Sequence, residues 1–355
     1  MPEILQIDGS VLEGGGQLTR MILSFAALTK TPVRIYNIRK NRPQPGLKAQ
    51  HLHALKVLKR ICDAKTSEFS IGTTEVAFWP RMLKGQNFYV DIGTAGAISL
   101  LLQNIILPAM FAKGKTSLTI QGGTDTFFAP TVDWMKHVFL PVIKKYCNTL
   151  EIVVERRGYY PKGGGLVKIE IVPKYSIESF NDFLKKFRKE NLPIVMDSQG
   201  KFNEVFCISH ASESLKEKQV AERQAKSASK VIKENLNLDV NVKIEYSKTL
   251  CPGSGILLYC YNSGSILGSD NLGKPGKPAE EVGKECAEKL LYEINSNAAV
   301  DKHLADNLIA FMALLPGSKI KTSEITMHTK TCIWLIEKFM DTKFNVSANF
   351  VESFV

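Results

Sequence analysis

The sequence predicts a mixed α+β (α/β) protein assembled from repeated strand–helix units, with a smaller α/β unit set into the larger one. Three observations carry this. Short apolar strands alternate with segments of helical spacing along the first half of the chain. A Gly-Gly-Gly turn at 14–16 recurs at 163–165, which hints at an internal repeat. Near Tyr175 the texture changes, and a lysine-rich stretch precedes a second group of strands and helices. At 355 residues the chain exceeds the roughly 250–300 at which a single core stops growing, so two domains are expected.

Ile4 to Ile7 reads as a strand, Gly14-Gly15-Gly16 as a sharp turn, and Gln17 to Leu28 as a helix. Val33 to Ile38 is rich in β-formers and runs into an Arg-Pro loop. Leu47 to Ile61 fits a helix, with Leu52, Leu55, Leu58 and Ile61 three residues apart. Phe88 to Ile92 and Ser117 to Gln121 read as strands around a buried helix, Ala97 to Phe111. A further helix is expected from Val132 to Tyr146. Leu150 to Glu155 and Gly165 to Ile171 form a hairpin pattern.

Beyond Tyr175, Phe183 to Asn191 reads as a polar segment and Phe206 to Ser209 as a strand. Lys216 to Lys233 is an amphipathic helix, and Val240 to Tyr246 and Gly255 to Tyr261 are strands. The Gly/Ser-rich stretch Gly264 to Gly276 reads as a connection into a long helix starting near Pro278. These signals divide the chain into residues 1–184, an inserted small domain at 185–278, and 279–355. The last part carries a helix from Leu304 to Leu315, a strand from Lys319 to Met327 and a helix from Thr331 to Met340. His328 falls at the strand–helix junction.

The composition is that of a globular protein, 44% hydrophobic and 23% charged, which excludes disorder as the main state. No apolar run reaches the roughly 18–20 residues needed to span a bilayer. Seven cysteines are widely spaced without a Cys-x-x-Cys pair, a pattern of free thiols in a reducing compartment, and a cytoplasmic location is expected. Net charge is +11, from 46 Lys+Arg against 35 Asp+Glu. The 49 residues between Glu13 and Asp63 contain ten basic residues and no carboxylate. A solvated helical face would mix both signs, so this stretch points to a phosphate-binding surface.

Familiar nucleotide loops are absent. Gly114-Lys115-Thr116 resembles the end of a Walker A loop, but the position five before it is Ala109, and a strand follows. Glu13-Gly-Gly-Gly-Gln17 sets a carboxylate before a turn that opens a helix, with Arg20 one turn in. Such a turn brings backbone close to a phosphate at a helix N-terminus and leaves Glu13 for a divalent ion. Thr329 or Thr331 is placed to cap the helix after His328, whose dipole would keep the imidazole neutral and nucleophilic. Asp306 stands either as an N-terminal carboxylate of its helix or as a partner for paired ribose hydroxyls.

Taken together, several segments make the chain resemble the RNA 3′-terminal phosphate cyclase family along essentially its whole length. They are Asp8-Gly-Ser-Val-Leu-Glu-Gly-Gly-Gly-Gln17-x-x-Arg20; Ile38-Arg39-x-x-Arg42-x-x-Pro45-Gly46-Leu47-x-x-Gln50-His51-Leu52; Gly122-Gly-Thr124 with Ala129-Pro130-x-x-Asp133; Tyr160-Pro161-x-Gly-Gly-Gly165; Ala221-Glu222-Arg223; Gly276-Lys277-Pro278-Ala279; Leu304-Ala305-Asp306; and the His-Thr-x-Thr around His328.

The resemblance implies a large domain of repeated βαβαββ units with a small thioredoxin-like insert. It implies an enzyme that uses ATP and a divalent cation (Mg or Mn) to turn an RNA 3′-phosphate into a 2′,3′-cyclic phosphate. By position, His328 matches the nucleophile that becomes adenylated, and Gln103 and Pro130 match nucleotide contacts. His303, Leu304, Ala305, Asp306 and Asn307 match the adenosine-binding turn, with Asp306 on the ribose. Glu13 matches the metal-associated carboxylate, and Arg20, Arg39, Arg42 and Gln50 match phosphate and RNA-end contacts. His303 and Asn307 depart from the tyrosine and glutamine common at those positions. The implied partners are RNA with a 3′-phosphate end and ATP, with no membrane. The alternative is a non-catalytic, cyclase-like RNA-processing or ribosome-assembly protein, a branch that lacks the histidine present here as His328.

Overall fold

The computed structural model describes residues 3–355. In chain order its elements are β1 (Leu5–Asp8), α1 (Gly16–Thr29), β2 (Val33–Tyr36), α2 (Ala49–Ile61), β3 (Lys65–Thr66), β4 (Val76–Trp79), β5 (Asn87–Asp91), α3 (Ile98–Ala109), β6 (Thr116–Gly122), α4 (Val132–Trp134) and α5 (Leu140–Ile143). There follow β7 (Cys147–Arg156), β8 (Gly165–Pro173), α6 (Phe180–Glu190), β9 (Val195–Met196), β10 (Glu204–Ser212), α7 (Val220–Leu236), β11 (Asp239–Ser247), β12 (Ser254–Tyr261) and β13 (Ile266–Leu272). The chain closes with α8 (Ala279–Asn295), α9 (Lys302–Leu314), β14 (Lys319–Lys321), α10 (Met327–Ile336), β15 (Lys343–Ser347) and β16 (Phe350–Phe354).

One topology occurs three times. The sheets β1-β2-β4-β3, β5-β6-β8-β7 and β9-β14-β16-β15 share the same strand order. In each, the first strand pairs parallel with the second, and the last two strands join antiparallel. Two helical segments fill the crossovers of each βαβαββ unit, because parallel neighbours need a long connection. Apolar faces of α1, α2, α3, α9 and α10 meet in one continuous core that includes Leu18, Leu55, Leu102, Leu308 and Leu335. In the second unit a π-helical turn, Met135–Phe139, joins α4 to α5.

The third unit is interrupted between β9 and α9. Strands in the order β11-β10-β12-β13 carry α7 and α8, which bury Ala225, Ile232, Cys286 and Leu290 in a second core. The Gly/Ser-rich stretch expected to be a connection contains β13, because its small residues pair with β12 from Ile266 to Leu272. Gly268 shows why size matters there: a Cβ would lie 2.5 Å from Val138. Helix α8 packs in this second core, whereas residues 279 onward were expected with the large unit. The lysine-rich segment after Tyr175 is helical as α6, with Phe183 and Phe187 turned inward.

A buried ionic cluster ties the two cores together. Arg157 reaches Asp133 at 2.7 Å, Asp125 at 3.6 Å and Glu245 at 2.5 Å. His210 on β10 lies 3.4 Å from Asp125 and meets the Tyr159 hydroxyl at 2.8 Å. All seven cysteines are free thiols, and among the described residues no helix is long and apolar enough to cross a membrane.

Candidate active site

A cavity of about 790 Å³ opens where all three units and the second core meet. Its size suits a nucleotide-sized ligand. Nearly every residue singled out from the sequence lines it: Glu13, Arg20, Arg39, Arg42, Gln50, Gln103, Pro130, His303, Asp306, Asn307 and His328. Leu304 and Ala305 do not. Both are fully buried on the core side of α9 and shape the turn from behind.

Helix α1 begins at the glycine turn because the chain needs backbone freedom and empty space there. Gly14 has φ +57°, a left-handed conformation, and a Cβ on Gly16 would sit 2.0 Å from His51 Nε2. The N-cap, Gly15, supplies no side-chain acceptor. The first N–H groups of α1 therefore stand beside the cavity without a side-chain cap, which suits an anion.

Arg20 projects from α1 with only 8% exposure, and among the described residues no hydrogen bond or ion pair reaches its guanidinium. Burial pushes its pKa down to about 10, so it stays charged at neutral pH. An unpaired buried cation at a cavity wall is costly unless an anionic ligand completes it. His51 lies alongside, held neutral because burial, then Arg20, Arg39 and Lys48, push its pKa down to about 3. Its Nδ1 accepts from the Lys48 N–H at 3.1 Å, so the proton sits on Nε2, which has no partner among the described residues.

The arginine loop divides its work. Arg39 donates Nη1 to the carbonyls of Gln44 (2.7 Å) and Gly46 (2.8 Å), which pins the Pro43–Gly46 turn. Arg42 instead reaches across to Glu13 Oε1 at 2.5 Å. The other Glu13 oxygen, Oε2, lies 3.0 Å from Nδ1 of His328. The alignment is imperfect, but at this distance Glu13 acts on the ring both as a hydrogen-bond acceptor and through its charge. Close polar contact with Glu13 raises the His328 pKa above the ordinary imidazole value, against the opposing effect of burial. The helix dipole was expected to keep this imidazole neutral; the adjacent carboxylate outweighs it.

His328 lies in the first turn of α10, not at the end of a strand, since β14 stops at Lys321. The helix is capped by Thr326, whose hydroxyl accepts from the Thr329 N–H at 3.0 Å, and not by Thr329 or Thr331. Thr326 and Thr329 both donate to Asp306 Oδ1, at 2.5 and 2.6 Å. Asp306 is thus no helix cap. The cap of α9 is Asp301, which accepts from the N–H groups of His303 and Leu304. No described protein donor reaches Asp306 Oδ2, and the carboxylate lines the cavity. Nδ1 of His328 faces Glu13, so Nε2 is its free nitrogen.

For a divalent ion, Glu13 is the carboxylate beside His328, but both its oxygens already face positive or polarised groups. A magnesium ion commonly takes one or two carboxylates and fills its remaining positions with substrate phosphates and water. Glu13 fits that use if a nucleotide phosphate takes over from Arg42. Among the described residues, the one group of three close potential ligands is Asp125, Asp133 and His210, and Arg157 already neutralises it.

Sequence reasoning did not single out Trp134, Asp270, Lys289, Tyr292 and Glu293, which form the far wall of the cavity. Four of them come from β13 and α8, whose packing was not foreseen. His303 stands edge-on to Trp134, with ring centres 6.4 Å apart.

Comparison with known proteins adds to this geometry. A family model described as RNA 3′-terminal phosphate cyclase matches residues 11–346. The RNA 3′-terminal phosphate cyclase of Pyrococcus furiosus is 43% identical over 96% of this chain and 94% of its own length. The proteins of the same name from Staphylothermus marinus and Methanosarcina mazei are 42% and 40% identical. These alignments cover 98% and 97% of this chain, and 95% and 97% of the relatives.

Proposed function

This chain belongs to the RNA 3′-terminal phosphate cyclase family and is an enzyme, and from that premise we propose that it converts an RNA 3′-terminal phosphate to a 2′,3′-cyclic phosphate at the expense of ATP. The observation that carries the reading is His328, paired through Nδ1 with Glu13 and presenting Nε2 to a cavity lined by Arg20 and Asp306.

A phosphate monoester resists cyclisation because its leaving group would be oxide, so its phosphorus must first be activated. Neutral His328 attacks the α-phosphorus of ATP through Nε2, and the bond to pyrophosphate breaks. Glu13 holds the ring with its remaining proton on Nδ1 and stabilises the cation that forms, as a carboxylate does behind a catalytic imidazole. An oxygen of the RNA 3′-phosphate then takes the adenylyl group, and the P–N bond electrons return to Nε2. Finally the 2′-hydroxyl attacks the activated phosphorus, loses its proton to solvent, and AMP departs. Positioning and charge neutralisation supply most of the rate in such transfers.

Asp306 Oδ2 suits the ribose hydroxyls, while Gln103, Pro130, His303 and Asn307 surround the base. Arg20 and the open turn of α1 suit phosphate oxygens, with Arg39, Arg42 and Gln50 nearest the RNA end. A divalent ion held by Glu13 and substrate phosphates would neutralise charge on the triphosphate. The binding-only alternative leaves the Glu13–His328 arrangement without a use. In the test, the enzyme is incubated with a 3′-phosphorylated oligoribonucleotide, ATP and a divalent ion. Its end is expected to become resistant to phosphatase, with one AMP formed per end; an end that stays phosphatase-sensitive overturns the reading.

A further inference from the structure

We propose that three loops beside the cavity mouth form a track for the single-stranded RNA leading to the reacting end, with bases stacking on Phe128 and Tyr160. This rests on the cyclase reading above. The loops are 122–131, 157–165 and 273–278.

Phe128 is the starting observation. It is 103% exposed, so folding gives its ring no burial, and it lines the cavity mouth two residues before Pro130. Its φ of +65° is the left-handed conformation that bulky residues rarely adopt. A strained backbone that holds a bare aromatic ring in water serves no packing purpose, and such strain gathers at ligand sites.

Behind it the patch continues. Phe127 packs edge-on against Tyr160 with ring centres 6.4 Å apart, and Tyr160 is itself 63% exposed. Lys274 Nζ lies 5.2 Å from the Phe127 ring centre, and Lys162 is exposed two residues after Tyr160. The one carboxylate in the three loops, Asp125, is buried against Arg157 and His210. The exposed residues of the loops are therefore aromatic and basic, with Lys277 paired to Glu285 of α8. That combination suits a single strand: rings accept the π-faces of any base, and lysines follow the phosphates. A duplex would hide its base faces, and a protein partner would not select for this charge.

The test compares two substrates: a nucleoside 3′-phosphate, too short to reach the patch, and a single-stranded oligoribonucleotide of about ten residues with a 3′-phosphate. Phe128→Ala and Tyr160→Ala are each expected to weaken binding of the oligomer about 5- to 100-fold by fluorescence anisotropy, the range of single-base stacking. Binding of the nucleoside 3′-phosphate should not follow. Phe128→Trp should restore the oligomer, and Lys274→Glu should weaken it most at low salt. Self-adenylation with ATP alone is measured on every variant, and thermal unfolding followed by circular dichroism confirms that each is folded. Equal oligomer affinity in wild type and alanine variants overturns the proposal. Parallel loss of self-adenylation and oligomer binding also overturns it, by placing Phe128 on the nucleotide. A wild-type protein that neither self-adenylates nor cyclises RNA would instead overturn the cyclase reading itself.

Discussion

Nδ1 of His328 lies 3.0 Å from Oε2 of Glu13, although 315 residues separate them in the chain. The contact brings the turn at the start of the first unit to the second helix of the third. It decides which ring nitrogen is free, and it ties the protonation of His328 to one carboxylate.

That coupling has a sign. Glu13 raises the His328 pKa, so the neutral, nucleophilic form grows only as pH rises above the ordinary imidazole value of 6.5. Self-adenylation should therefore increase through that region and level off above it. Replacing Glu13 by Gln removes the charge, and the His328 pKa measured by NMR titration should fall. An unchanged pKa in Glu13→Gln would mean that the carboxylate does not govern the imidazole.

Asp306 organises the same helix from behind. Its Oδ1 takes the hydroxyls of Thr326 and Thr329, one of which caps α10. Asp306→Ala leaves both hydroxyls without that acceptor and should cost about 1–3 kcal/mol in denaturant unfolding. Self-adenylation should fall further than the stability loss explains. Wild-type stability in the variant would show that these hydrogen bonds contribute nothing net.

Arg20 and Arg157 are both buried arginines, and they should respond in opposite ways. Arg157 is surrounded by Asp125, Asp133 and Glu245, so Arg157→Met strands three carboxylates and should destabilise by about 3–5 kcal/mol. Among the described residues Arg20 has no hydrogen-bond or ion-pair partner, so Arg20→Met relieves a buried charge and should leave the midpoint of unfolding unchanged or raised. Nucleotide binding should nevertheless weaken strongly, as measured by calorimetry. A large stability loss in Arg20→Met would show that the residue serves the fold.

The same cluster sets an acid limit. Burial alone would raise the Glu245 pKa, but Arg157, with Lys243, holds it at about 2, below the ordinary 4.5. A depressed folded-state pKa contributes stability above the unfolded value and loses it as pH falls. Unfolding free energy should therefore drop between about pH 4.5 and 2, and Glu245→Gln should flatten that part of the curve. Identical slopes in both proteins would remove Glu245 from the account.

Much of this was legible in sequence where local pattern carries information. Apolar spacing marked α1, α2, α3 and α9, the glycine turn marked the start of α1, and the acid-free stretch marked the wall that bears Arg20, Arg39 and Arg42. The motif around His328 pointed to a residue that lines the cavity. Other features depend on distant segments. Nothing near His328 announces Glu13, and Arg157, Asp133, His210 and Glu245 come from four separate places. Small residues hid β13, since Gly268 and Ser269 look like a linker until β12 is beside them. Phe128 carries no signal at all, because a single exposed ring has no period.

The most direct test of the central claim is mass-spectrometric mapping of the protein after incubation with α-labelled ATP and a divalent ion. One adenylyl group should appear on His328, in an acid-labile bond to nitrogen, and His328→Ala should carry none. Stable label on another residue, or full RNA cyclisation by His328→Ala, would contradict the role assigned to the histidine.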